Sequence, residues 1–310
     1  MPELNPAQQA VADGLLSLRD ASPRVDADAV AHITRGFTER TQWAVDALDE
    51  AGQTLPVNKY TIGAALGCET RWQFGGDFSW NVRNAAGSVA HRAAELLLVG
   101  RLDCTPMDAA AAAIDLMCEE NQGFAAFLDD GPPARAAAIR TDATSHVTSL
   151  VHGFPVLPKR MLPRTEQSFQ ATLGSRTIQL NARPDLALGR PAGPDARSLL
   201  IDLKTGTPHQ SHIDDLRFYA LVFMLRWGAP PWRIASFYAQ DGTWNAEEVD
   251  ADVLQAAALR TSDAILRMAE IVSSKRPPGL SAGTGCQWCA LSETCEAHAE
   301  WASSKLEDAH

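Results

Sequence analysis

Several things are missing from this chain, and each absence narrows it. No apolar run could cross a bilayer: the longest, such as YALVFML at residues 219–225, falls far short of the ~20 residues a spanning helix needs. The opening MPELNPAQQA has no basic stretch followed by an apolar one, so no secretory signal is expected and the cytoplasm is the expected compartment. There is no internal repeat and no long low-complexity tract. Net positive charge is missing too. At −11, the chain as a whole lacks the basic footprint of a phosphate binder.

What remains is ordinary globular composition. Of 310 residues, 45% are hydrophobic and 21% charged, enough for a sizeable core and against wholesale disorder. The charge is unevenly spread. Between Gly131 and Arg190 there are eight Arg or Lys residues (Arg135, Arg140, Lys159, Arg160, Arg164, Arg176, Arg183 and Arg190) against three acids (Asp142, Glu166 and Asp185). Such a strip suits contact with a short stretch of nucleic-acid backbone, and equally a solvated surface.

The first 52 residues read as amphipathic helix, broken near Pro23 and the Asp26/Asp28 pair, and form a helical N-terminal extension. AGQTLPVN (51–58) marks the expected boundary with a second domain over 53–310. Residues 86–99, 107–128 and 134–151 are Ala-rich and helical in period, with Gly100 and the GPP at 131–133 as stops. SFQATLG and TIQLNARPDLAL then read as a hairpin turning at Ser175-Arg176. SLLIDLK and WRIASFYAQ follow as further strands, with helices over 211–227 and 250–274. The expectation is an α/β fold: a mixed central sheet flanked by helices, with a helical N-terminal half.

Read as one strand, QLNARPDLAL puts Gln179, Asn181, Arg183, Asp185 and Ala187 on one face. In LLIDLK, Asp202 and Lys204 share a face opposite Leu199, Ile201 and Leu203. If the two strands are neighbours, Asp185 and Asp202 converge with Lys204 beside them. Two carboxylates, helped by a backbone carbonyl such as that of Leu203, suit Mg²⁺ or Mn²⁺, which take hard oxygen ligands at ~2.1 Å. A lysine at such a site can stabilise charge that develops on a phosphoryl oxygen. Asp-x-Lys alone is a common tripeptide, and an exposed Asp–Lys pair is worth only ~0–1 kcal/mol. In SHIDDLRFYAL, Ser211 is the expected N-cap, with Asp214 completing a capping box. Asp215 and Tyr219 lie one turn apart on a single helix face. His91 sits on an expected helix, as a core histidine or as a third metal ligand.

The cysteines give a sharper pattern. Cys104 and Cys118 fall in Ala- and Leu-rich sequence and are expected to be small buried hydrophobes. Cys286-x2-Cys289-x5-Cys295 places three thiols within ten residues, a strong metal signal, with Cys68 as the fourth candidate ligand. Four thiolates suit structural Zn²⁺ or an iron–sulfur cluster. Either would close a loop of over 200 residues, which marks the site as a staple rather than a catalytic centre.

Taken in order, Cys68, His91, Asp185, Asp202-x-Lys204, Tyr219 and the cysteine triplet resemble the RecB-like branch of the PD-(D/E)XK nuclease superfamily. The likeness is to members with an iron–sulfur staple: AddB-type nuclease domains and small exonucleases associated with CRISPR adaptation. It implies a restriction-endonuclease-like core with Asp185 and Asp202 as ligands of catalytic Mg²⁺ or Mn²⁺, and His91 completing the shell. It implies Lys204 as the catalytic lysine, Tyr219 as part of the family's Q-x3-Y helix, and the four cysteines as ligands of [4Fe-4S]. The implied activity is that of a metal-dependent deoxyribonuclease, an exonuclease on single-stranded DNA in repair, recombination or defence. The chain departs from the pattern at Asp215, where Gln is usual, in ARPD, where Gly often precedes, and at Glu69, where Pro is frequent. No G-x4-GK[ST] stretch is present, so unwinding would fall to a helicase partner, or the chain would work beside a CRISPR or defence protein. Two rival readings remain: an inactive DNA-binding or scaffold subunit of such a complex, and a zinc-stapled α/β protein of unrelated function.

Overall fold

The computed structural model describes residues 3–17, 24–76, 78–100, 103–190 and 197–307. The break expected at Pro23 lies outside them. The chain opens with helices α1 (Pro6–Asp13) and α2 (Ala27–Glu50), strand β1 (Leu55–Val57), and helices α3 (Lys59–Gly67) and α4 (Glu69–Phe74). Four helices follow: α5 (Val82–Leu98), α6 (Pro106–Glu120), α7 (Gln122–Asp129) and α8 (Pro133–Gly153). Next come β2 (Arg164–Thr165), β3 (Phe169–Leu173), β4 (Ile178–Ala182), β5 (Leu186–Leu188), β6 (Leu199–Lys204) and α9 (Gln210–Trp227). The chain closes with β7 (Arg233–Tyr238), β8 (Thr243–Glu248), α10 (Ala251–Val272) and α11 (Glu296–Glu307). The fold is mixed α/β, as the alternation of helical and strand periods predicts.

The chain forms two compact units, each assembled from separated stretches: residues 1–27, 79–168 and 183–250 in one, 28–78, 169–182 and 251–310 in the other. The first holds a five-stranded sheet in the order β2-β5-β6-β7-β8. Only β6 and β7 run parallel; the other neighbours are antiparallel. Leu199 to Leu203 are buried without interruption, as expected for a central strand covered on both faces. Leu199, Ile201 and Leu203 join Leu186, Leu188, Ala235 and Phe237 in one core, closed by Leu98 of α5, Leu150 of α8 and Phe154 just past its end. A second core is built on alanine: Ala85, Ala93, Ala109, Ala113 and Ala143 are wholly buried where α5, α6 and α8 meet. Small side chains let these helices approach closely, and α5, which carries His91, is fixed from both sides.

The second unit holds a three-stranded sheet in the order β1-β4-β3, with α10 packed on α3 and β1. The expected hairpin is present: Phe169 to Leu173 pair antiparallel with Ala182 to Ile178.

QLNARPDLAL is not one strand, contrary to the sequence reading. β4 stops at Ala182 and pairs in the three-stranded sheet, whereas β5 starts at Leu186 and pairs in the five-stranded one. Pro184 has no N–H to give to a ladder, so the chain changes sheets there. The α9 cap also differs. His209, not Ser211, is the N-cap, and its Nδ1 accepts the Ser211 N–H at 3.2 Å. Gly228 ends α9 at φ +72°, a left-handed conformation that suits glycine. Cys104 is exposed, because it precedes the α6 cap Thr105 in a loop, and Cys118 is only partly buried. Among the described residues, no helix is long and apolar enough to cross a membrane.

Candidate active site

The antiparallel register of β2 on β5 builds the site. Arg164 faces Ala187 and Thr165 faces Leu186. One step further along, Glu166 falls opposite Asp185, and its N–H donates to the Asp185 carbonyl at 3.0 Å. Glu166 adopts φ +50°, unusual for a residue with a side chain and of the kind that clusters at functional sites. Asp185 itself lies in the gap between strands that Pro184 creates. The Leu203 backbone N–H donates to its Oδ2 at 2.5 Å. His91, one turn before Glu95 on α5, brings Nδ1 to 3.2 Å from its Oδ1. Glu95 anchors that helix to the sheet edge: it accepts the Thr165 hydroxyl at 2.8 Å and an Arg92 N–H at 2.5 Å.

His91, Glu166 and Asp185 each offer one ligand atom, all within 4.8 Å of one another; they are the sole such group of three among the described residues. The electrostatics of the three groups are coupled. Burial and the neighbouring Asp185 charge push the Glu166 carboxyl up to about 7, against the opposing pull of Arg183 and His91. Burial lowers the His91 imidazole, but the carboxylates of Asp185, Asp202 and Glu166 together more than offset it, so the ring is held above its ordinary value. Two carboxylates and an imidazole form a hard-to-borderline donor set that fits Mn²⁺ or Mg²⁺.

Asp202 is 1% exposed and forms an ion pair with Lys204, which shares its face of β6. It lies outside the group of three, although its charge is felt at His91. Opposite Lys204 in the β6–β7 register stands Tyr238, whose hydroxyl lies 3.3 Å from His212 Nδ1 at the start of α9. Tyr219 is buried within α9, which packs on β6 and β7. Leu203, expected to offer its carbonyl, contributes its N–H to Asp185. Reasoning from the sequence missed Glu166 as a member of the group. For Glu166 the signal exists only once β2 is paired with β5.

In the other unit, Cys68, Cys286, Cys289 and Cys295 line one cavity of about 160 Å³ with His298. No three of the thiols lie within 4.8 Å of one another. The Gly283 N–H points at Cys286 Sγ from 3.4 Å. His298 Nδ1 lies 2.9 Å from the Ser292 carbonyl, the distance of an N–H donated from that nitrogen. Glu69, which follows Cys68, is a buried carboxylate. Hydrogen bonds from Arg276, against the cost of burial, hold it down to about 2, with the Gly279 N–H helping.

The profile of the PD-(D/E)XK nuclease superfamily matches residues 60–296, most of the chain. The protein belongs to that superfamily, and its domain is that of a metal-dependent nuclease with DNA as substrate. None of the curated proteins compared with it matches. The crystal structure of SSO0001 covers 83% of this chain and 96% of its own at 14% identity and a TM-score of 0.35, a likeness too weak to carry an argument.

Proposed function

We propose that this protein is a DNA exonuclease acting on single-stranded ends, serving repair, recombination or defence beside a helicase or CRISPR-type partner. The observation that carries the hydrolytic reading is the convergence of His91, Glu166 and Asp185 on one point, on the sheet whose central strand carries Asp202 and Lys204. These residues would hold Mg²⁺ or Mn²⁺, with Asp202 and the Leu203 carbonyl available to complete the shell. Bound there, the metal supplies charge neutralisation at a phosphoryl oxygen and a more acidic water.

The side chains do the rest. Leu203 N–H fixes the orientation of Asp185, and Glu95 holds the helix that carries His91. The ion pair with Asp202 directs the Lys204 side chain. The ammonium is then placed to stabilise the negative charge that develops at the attacked phosphate. Tyr219, 3% exposed, acts as a positioning residue inside α9 rather than as a group that meets DNA.

The four cysteines are assigned to a [4Fe-4S] cluster. What supports the assignment is that all four cysteines line one cavity, with three of them in the C-x2-C-x5-C spacing.

The test is cleavage of single-stranded DNA labelled at either end, with Mn²⁺ or Mg²⁺, by protein prepared anaerobically. Wild type should shorten the strand progressively, while Lys204→Ala and Asp185→Asn, each shown to be folded by circular dichroism, should not. Equal cleavage by all three would remove the assignment. Metal-independent binding with no turnover would instead favour the scaffold reading.

A further inference from the structure

Cys68 and Cys286 are 218 positions apart in the sequence. A metal that alone closed so long a loop would bind in step with folding, and the metal-free chain would leave the pocket open. The structure supplies another closure. Glu69, next to Cys68, is 7% exposed. Its carboxylate takes two N–H bonds from the Arg276 guanidinium, at 2.6 and 2.7 Å, and a third from the Gly279 backbone at 2.8 Å. Arg267 Nη1 stands 3.8 Å away. In the reverse direction, the Thr70 N–H and hydroxyl both donate to the Gly279 carbonyl at 3.1 Å. Arg276 is tied back by Nε to Glu270 at 2.6 Å, on α10. That helix packs on α3, which ends immediately before Cys68.

The grip is two-ended. Beyond residues 276–279 the chain runs through Leu280 to Thr284, which line the cysteine cavity. At Gly285 it meets α4 again: a Cβ there would come within 2.4 Å of Arg71 Nη1, so the guanidinium lies directly on the backbone before Cys286. The forked Arg–carboxylate pair is the strongest and most directional form of ion pair, and a buried one that loses a partner leaves an uncompensated charge.

We propose that Glu69 and Arg276 form a metal-independent clasp that docks Cys68 against the segment leading to Cys286. The cysteine pocket is thereby built before any metal enters. The two are positioning residues, not ligands. The proposal rests on reading the pocket as a metal site, and predicts that the metal is inserted into a formed cavity and can leave without the tail undocking.

The test is amide hydrogen exchange on the intact metal-free chain, paired with metal uptake. Thr70 and Gly279 amides should be protected in metal-free wild type, and at least about 100-fold less protected in Glu69→Gln. Arg276→Lys, which keeps the charge but loses the fork, should fall between them, and serves if Glu69→Gln does not fold. After anaerobic reconstitution with iron and sulfide, both variants should lose iron to a chelator about tenfold faster than wild type. Equal exchange in metal-free wild type and Glu69→Gln would overturn the clasp. If exchange differs but wild type retains neither iron nor zinc, the metal-site reading falls, and the role given to the clasp falls with it.

Discussion

Two acids, one in each unit, meet opposite treatment. Glu69 is buried among two forked guanidinium N–H groups and a backbone N–H, and its carboxyl sits at about 2. Glu166 is half-buried opposite another acid, in a strained backbone conformation, and its carboxyl is pushed up to about 7. The first has every charge answered by the protein, and its value is structural. The second has the Arg183 guanidinium at 3.0 Å on one side and the Asp185 carboxylate on the other, and burial with the like charge outweighs the pair. The contrast separates an ion pair that holds the fold from a carboxyl whose neighbours oppose its charge, the pattern of the proposed metal seat.

The largest test of this contrast is Lys204→Ala. It should lower the cleavage rate about 10²–10³-fold, the scale of removing one charge-stabilising group, as measured by single-turnover cleavage. It should also destabilise, because Asp202 is left buried without its lysine. Next comes Glu69→Gln, predicted to cost about 3 kcal/mol in chemical denaturation of metal-free protein. Arg276 keeps Glu270 and some solvent, which places the cost at the low end of such losses. Glu166→Gln inverts the pattern. Cleavage should fall about 10–100-fold, while the melting temperature of metal-free protein holds or rises, because the like-charge contact with Asp185 that is relieved outweighs the exposed pair with Arg183 that is lost. A melting temperature that drops as far as that of Glu69→Gln would erase the distinction. The smallest effect belongs to Arg40→Ala. Its pair with Asp263 is about half exposed on both sides, and the Ser262 hydroxyl that takes its Nε–H at 2.8 Å keeps a bond to the Leu259 carbonyl, so about 1 kcal/mol should be lost.

What the sequence disclosed follows from distance along the chain. Asp202 and Lys204 share a face because two residues of one strand must, and that needs no tertiary information. Asp185 was legible as an acid near a strand end, but its strand was not, since Pro184 moves the chain to a second sheet. Glu166 and Asp185 meet only through the Thr165–Leu186 pairing, which no local pattern announces. Glu69 and Arg276, 207 positions apart, were less legible still, and Glu69 stood out only as a departure from its relatives. β8, reading TWNAEE, is a largely exposed edge strand with no apolar alternation to betray it.

The most direct measurement is Mn²⁺ titration, followed through the spin-resonance signal of the free ion, for wild type, Glu166→Gln and Glu69→Gln. Wild type and Glu69→Gln should bind one ion at the active site with equal affinity, and Glu166→Gln at least about tenfold more weakly. Unchanged Mn²⁺ affinity in Glu166→Gln would contradict the reading of His91, Glu166 and Asp185 as the metal seat.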